Sequence, residues 1–197
     1  MSVPLCIETI CLADGQLKNV EQHNARLNQS RHALYGSRDE WDLEHLISLP
    51  ENTKTGLFKC RVTYGETLEK IEFESYSVRV IKSLKLSEAN DLDYTFKYQD
   101  RSRLNQLFAQ RGLADDVLII KNGFVTDTSY ANVAFWDGQR WLTPALPLLA
   151  GTKRAQLLQK GELFEQKIRV QELSNFSRTR IFNAMFDQQT DVTFLSE

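Results

Sequence analysis

A lysine, a carboxylate and a glycine ahead of a helix carry the chemistry this sequence offers. Lys97 stands in the run Tyr94-Thr95-Phe96-Lys97-Tyr98, among three aromatic side chains. Partial desolvation there favours the neutral amine, the form that attacks a carbonyl to make a Schiff base. Asp127 follows a strand-like stretch and has Asn132 five positions on, with Thr126, Thr128 and Ser129 beside it. Gly151-Thr152 precedes a helical run over 153–160. The free backbone N–H groups and positive dipole end of such a start form an anion cradle. Arg26 is a distant cation that could join it. Each group alone has a plainer reading: a surface lysine at a helix entrance, a turn aspartate bonded by its hydroxyl neighbours, a solvated helix charge. Together, an amine, a carboxylate and an anion cradle are what pyridoxal 5′-phosphate requires for its aldehyde, its pyridinium nitrogen and its phosphate.

The elements that must position these groups follow from periodicity and turn residues. Residues 5–12 read as a strand turned at Asp14-Gly15. Val20, Asn24, Leu27, Arg31 and Leu34 recur at helical spacing up to Gly36, which puts His23, Arg26 and Ser30 on one face. Ser37 with Glu40 predicts a capping box for a second helix carrying Trp41, Leu43, Leu46 and Ile47 and ending before Pro50. Strands are expected at 56–63, 68–76 and 78–86, followed by a polar loop over 87–93. A helix from Asp100 carries Leu104, Leu107 and Phe108 and stops at Gly112. Residues 117–120 form an apolar strand that turns at Asn122-Gly123 towards Val125 and Asp127. A further strand, 133–136, turns at Asp137-Gly138 into 141–143, and Pro144 ends it. After the helix closed by Gly161 come a strand at 164–170, a helical piece near 173–176, a strand at 179–182, the tripeptide Asn183-Ala184-Met185 and a last strand at 192–195. The expected class is α+β: the opening half reads as a small α+β unit and the second half as β-dominated with two or three helices.

Composition narrows the class of partner. Lys and Arg number 24 against 26 Asp and Glu, a net charge of −2, so no basic field points to nucleic acid or to an anionic membrane. Hydrophobic residues make up 42% of the 197, enough for a substantial core. No apolar run approaches the length of a membrane span, and the start MSVPLCIETICL lacks the basic residues and long apolar core of a signal peptide. The expected location is the cytoplasm. Three cysteines, Cys6, Cys11 and Cys60, are an odd set that suits reduced thiols. On a strand Cys6 and Cys11 point to opposite faces, and His23, His32 and His45 are scattered, so no metal site is expected.

Several motifs also stand in a familiar order. Ile7-Glu8-Thr9-Ile10 with Asp14-Gly15 is followed by His23-Asn24-Ala25-Arg26-Leu27 and Ser30. Val125-Thr126-Asp127 runs through Asn132-Val133, and Leu142-Thr143-Pro144 leads to Leu149-Ala150-Gly151-Thr152-Lys153-Arg154. In this order they resemble the F-E-T strand, the H-x-x-R-L-x-x-S helix, the V-x-E-x-x-x-x-N strand, the L-x-T-P element and the L-P-G-I-T-R phosphate loop of the class IV aminotransferases. These are the fold type IV pyridoxal-phosphate enzymes, which include branched-chain and D-amino-acid aminotransferases and aminodeoxychorismate lyase. The resemblance implies a two-domain D-amino-acid-aminotransferase-like fold, a small α+β domain over 1–76 and a larger β-barrel-like domain over 77–197 that carries Lys97 and the Gly151 loop, with pyridoxal 5′-phosphate as cofactor between them. By it, Lys97 would be the catalytic Schiff-base lysine, Arg26 would contact the phosphate and Asp127 would face the pyridine nitrogen with Asn132 in the same site. Gly151, Thr152, Lys153, Asn183 and Ala184 would complete the cofactor site at the phosphate. Asn183-Ala184-Met185 and Asp100-Arg101 resemble segments of aminodeoxychorismate lyases, and Thr9 would then approach the substrate as a catalytic residue.

The chain departs from the family pattern at three places. Asp127 stands where glutamate is usual, which shortens the reach by ~1.5 Å, one carbon–carbon bond. Lys153 replaces a threonine, removing a hydroxyl and adding a positive charge near the phosphate. The chain begins at the F-E-T strand, so a shortened N-terminus without the family's D-R-G…G-D-G loop is expected. The implied function is elimination of pyruvate from 4-amino-4-deoxychorismate. Two alternatives stay open: an aminotransferase acting on branched-chain or D-amino acids, with Arg61 as a carboxylate donor, and a catalytically impaired paralogue that still binds the cofactor. A small-molecule amino substrate and a homodimer are the partners the resemblance implies.

Overall fold

Alternating side chains build the first sheet. In the computed structural model, which describes residues 3–195, β1 (Cys6–Ala13) buries Cys6, Glu8, Ile10 and Leu12 on one face. Asp14 and Gly15 then take positive φ values of 48° and 75°, the mirror-image turn whose twist matches a tight hairpin. β2 (Gln16–Leu17) follows, and α1 (Val20–Tyr35) packs Val20 and Leu27 into the core that contains Cys6 and Ile10. Gly36 ends α1 with φ 69° and returns its N–H to the His32 carbonyl.

The second helix is shorter than the Ser37–Glu40 pattern predicts. α2 spans only Leu43–Leu46, and its cap is Asp42, whose carboxylate accepts the Glu44 N–H. The residues before it are held against α1 instead. Arg31 donates to the Asp39 carbonyl and carboxylate, and Asn28 exchanges two hydrogen bonds with the Trp41 backbone. These bonds satisfy the backbone without a helix. β3 (Leu57–Tyr64) and β4 (Leu68–Ser75) complete an antiparallel four-stranded sheet of order β2-β1-β3-β4, with Thr9 opposite Arg61.

Two compact units divide the chain. The first runs to Val78 and also includes Phe96–Asp100; the second comprises Arg79–Thr95 and the chain from Arg101 onward. Lys97, assigned from sequence to the larger domain, is therefore grouped with the smaller unit. The reason is backbone pairing along β1: Ile7 N–H donates to the Lys97 carbonyl at 2.9 Å and Gln99 N–H to the Leu5 carbonyl at 2.8 Å. The rings of Phe96 and Tyr98 pack on the first unit's core.

In the second unit β5 (Ser83–Glu88) starts later than expected and ends later. Asp115 accepts the N–H groups of Lys82 and Ser83 before the strand starts, and pairing persists to Glu88 opposite Ile120. α3 (Ser102–Ala109) leads to β6 (Asp116–Lys121), buried from Asp116 to Ile120 and parallel to β5. Asn122 and Gly123, at φ 51° and 77°, turn the chain into β7 (Phe124–Thr128). β8 (Asn132–Trp136), β9 (Trp141–Pro144), α4 (Thr152–Gln159) and β10 (Phe164–Gln166) follow, then a 3-10 turn over Val170–Asn175. β11 (Arg178–Phe182), β12 (Asp187–Thr190) and β13 (Thr193–Leu195) end the described chain.

The nine strands form one mixed sheet of order β10-β9-β8-β7-β6-β5-β13, with β11 on β8 and β12 on β11. β8 meets β7 at the single pair Asp127↔Asn132 and β9 at Phe135↔Leu142 and Trp136↔Trp141, while β11 runs along all of it. Asp127 and Asn132 thus face each other where β7 and β8 part. Leu157 and Leu163 pack on Ala134 and Phe182, seating α4 on the sheet. The class is α+β, as the sequence implies. Among the described residues no helix is long and apolar enough to cross a membrane, and no cluster of His, Cys, Asp and Glu could hold a metal ion.

Candidate active site

In the first unit a fully buried glutamate organises the candidate residues. Glu8 belongs to the inward column of β1, and α1 sets His23 and Arg26 three residues apart above it. Arg26 donates from Nε to Glu8 Oε1 at 2.9 Å and from a terminal nitrogen to Oε2 at 2.6 Å. His23 Nδ1 lies 2.6 Å from the same Oε2. Burial alone would raise the Glu8 carboxyl, but the charge of Arg26 and the bonds from His23 and Arg26 outweigh it and hold Glu8 at about 2. Burial lowers the His23 imidazole against the pull of Glu8, so a neutral ring donating from Nδ1 suits the pair. The charge of Lys97 also acts on His23. Lys97 is half-buried, its backbone clamped to β1, and Phe96 and Tyr98 stack edge-on with centroids 6.0 Å apart. Thr9 lies on the other face of β1 from Glu8, beside Arg61, whose Nε is buried with no hydrogen-bond partner.

In the second unit the carboxylate and the glycine are brought together. Asp127 is 4% exposed; its Oδ1 accepts from Asn132 Nδ2 at 2.8 Å and its Oδ2 from the Leu149 N–H at 2.9 Å. Burial raises its carboxyl to about 6, against the opposing pull of Leu149, Asn132 and the Arg154 charge. Asn132 Nδ2 also donates to the Leu149 carbonyl at 2.9 Å. A side chain at Gly151 would displace Asn132, because a Cβ there would lie 1.9 Å from Asn132 Oδ1. Its carbonyl accepts the Ala155 N–H and so opens α4, with Thr152 buried as the first helical residue. Arg154 is held by the Pro144 carbonyl and Glu165.

The remaining candidates take different parts. Lys153 extends along α4, its Nζ 3.3 Å from Gln156 Oε1 and 3.8 Å from the Asp187 carboxylate. Asn183 builds its own turn between β11 and β12: Oδ1 accepts the Met185 N–H at 2.8 Å, and Nδ2 donates to the Tyr130 carbonyl at 3.3 Å. Ala184 sits half-buried in that turn. Arg101 donates to the Ser129 carbonyl at 2.8 Å. Glu8 and His23 had no assigned role from sequence. The signal was present, since an acidic residue in the buried column of a strand requires cationic or hydrogen-bonding neighbours. Leu149 carried no such signal, because it contributes only its backbone.

The second unit thus carries a buried carboxylate beside a glycine-started helix, and the first a buried Glu-His-Arg cluster. The chain belongs to the amino-transferase class IV family, whose model matches residues 5–188. It is 38% identical over 180 residues to an uncharacterised protein of Haemophilus influenzae, covering 90% of this chain and 96% of that one. It is similar to the crystal structure of a Haemophilus somnus protein described as a candidate 4-amino-4-deoxychorismate lyase, at TM-score 0.87 and 32% identity, covering 94% of this chain and 98% of the other. The fold is also that of a hypothetical aminotransferase from Mycobacterium tuberculosis in its pyridoxal-phosphate-bound form, at TM-score 0.79 and 20% identity, covering 97% of this chain and 81% of that one. Family membership implies pyridoxal phosphate as the cofactor.

Proposed function

We propose that this protein is a pyridoxal-phosphate-dependent lyase that eliminates pyruvate from 4-amino-4-deoxychorismate. The observation that carries the cofactor part is the Asp127, Asn132 and Gly151 arrangement. A buried carboxylate raised to about 6 gains from a cationic ring nitrogen, and Gly151 stands at the start of α4, where the first backbone N–H groups are donors for an anion. The donor set therefore suits the group. Lys97 would hold it through its amine, Asp127 would balance charge at the pyridine nitrogen, and the backbone N–H groups at Thr152 and Lys153 would receive the phosphate. Arg26, aligned by Glu8, would add the cation. Asn183 supports the reading through its turn, which presents Ala184. When bound, the cofactor supplies an electron sink for the pair released at the substrate carbon bearing nitrogen. The Lys97 amine would take the proton from that carbon, and Thr9 would approach the substrate.

The lyase assignment rests on the Haemophilus somnus relative and on the Asn183-Ala184-Met185 segment. An aminotransferase is the second reading, favoured by the family itself. Purified protein loaded with pyridoxal 5′-phosphate should show a near-ultraviolet to violet band that Lys97→Ala abolishes, with borohydride fixing the cofactor at Lys97. A band unchanged in Lys97→Ala would remove that lysine from the role. Pyruvate released from 4-amino-4-deoxychorismate without an amino acceptor would select the lyase; turnover only with a keto acid would select the aminotransferase. A bound cofactor with neither reaction would identify a paralogue that has lost turnover. We further propose a cytoplasmic homodimer: an odd set of three cysteines, Cys6, Cys11 and Cys60, suits a reducing compartment, and dimers are usual in the family. Sedimentation equilibrium checks the dimer.

A further inference from the structure

The polar groups of β7, β8 and the segment ahead of α4 close into a ring. Asp127 Oδ2 accepts the Leu149 N–H at 2.9 Å, the Leu149 carbonyl accepts from Asn132 Nδ2 at 2.9 Å, and the same nitrogen donates to Asp127 Oδ1 at 2.8 Å. An amide nitrogen has two hydrogens, so both of its bonds are made at once. The amide orientation is forced: a flipped Asn132 would aim its oxygen at a carboxylate and a carbonyl, neither of which can donate. Asn132 Oδ1 then fills the space where any side chain at position 151 would begin. At 6% exposure Asn132 has little water to replace a lost partner. One side chain therefore touches the carboxylate, the backbone that bonds that carboxylate, and the glycine that opens α4.

We infer that Asn132 is a positioning residue that makes Asp127 and the Leu149 to Gly151 turn a single unit, so that the ring end and the phosphate end of the cofactor are bound cooperatively. This rests on the reading that the site takes pyridoxal 5′-phosphate. In this role Asn132 acts through its neighbours Asp127 and Leu149. The shorter Asp127 is compatible with the arrangement, because its position is set by bonds on both oxygens.

The test uses full-length protein and three probes: inorganic phosphate for the glycine end, pyridoxal for the carboxylate end, and pyridoxal 5′-phosphate for both. In the wild type, phosphate and pyridoxal should each tighten the binding of the other. Asn132→Ala should weaken both fragments, each about tenfold, the loss expected of a buried hydrogen bond, and should abolish their mutual tightening. Asn132→Leu keeps nearly the same size and removes the donor without adding a charge beside Asp127, so it should show the same loss without opening a cavity. A role in stability alone would lower the melting temperature and leave the coupling between fragments intact. Variants that keep wild-type affinities and coupling, or that weaken only one end, would overturn the inference. Wild-type protein that binds no pyridoxal 5′-phosphate would instead overturn the functional reading, and this inference with it.

Discussion

Two buried carboxylates in this protein respond to pH in opposite directions. Glu8, bonded by Arg26 and His23, is held at about 2, below its ordinary 4.5. It contributes stability that is present above pH 4.5 and is lost as pH falls towards 2. Asp127, raised from 3.8 to about 6, works the other way. The folded protein holds that proton longer than the unfolded chain, so stability declines as pH rises from about 4 to about 6 and then stays lower. Cofactor binding would offset this cost by placing a cation at the carboxylate. Urea unfolding of the ligand-free protein across this range should show both limbs. Glu8→Gln should flatten the acid limb and lower stability at neutral pH by about 3 kcal/mol, because Arg26 loses its charged partner in a site that is 13% exposed. An acid limb unchanged in Glu8→Gln would assign it to other carboxylates.

Polar partners decide which segments become elements. β12 consists of Asp187-Gln188-Gln189-Thr190, without the apolar alternation that marks a strand, and it pairs along β11. Asp187 accepts from Arg180 Nε and a terminal nitrogen, both at 2.8 Å, and Gln188 bonds the Ile81 backbone in both directions. Arg180 is 6% exposed, so its guanidinium depends on those bonds. Asp187→Asn should destabilise the protein by about 1–3 kcal/mol and speed amide exchange in β12 before other strands. Global loss without local acceleration would show that the pair does not hold this strand. Lys153 shares the same carboxylate, so its ammonium is drawn along α4 towards β12.

At the scale of the molecule, each unit has its own hydrophobic core; Lys97 and Arg26 belong to the first unit, Asp127 and Gly151 to the second. A ligand that binds only the folded state stabilises it by mass action. At a hundredfold excess over its dissociation constant that is about 2.7 kcal/mol, or roughly 5–10 °C in melting temperature for a chain of this size. Pyridoxal 5′-phosphate should therefore raise the melting temperature in a concentration-dependent way, and less so in Lys97→Ala. No shift in the wild type under conditions where its absorption band forms would contradict binding to the folded state alone.

Much of this protein was legible in its sequence because the information is local. Paired Asp-Gly and Asn-Gly turns, the helical spacing up to Gly36 and the ordered motifs from Glu8 to Arg154 depend on neighbours a few residues away. They were sufficient for the α+β class, for most elements and for the family. Tertiary contact decided the rest. Whether Lys97 belongs with the first or second unit depends on backbone bonds to Leu5 and Ile7, some 90 positions away. The short α2 reflects bonds from α1 that no local pattern encodes, and β12 exists through its partners on β11. The ring that joins Asp127, Asn132 and Leu149 uses main-chain groups, which are the same at every residue, so only the folded chain selects which of them meet.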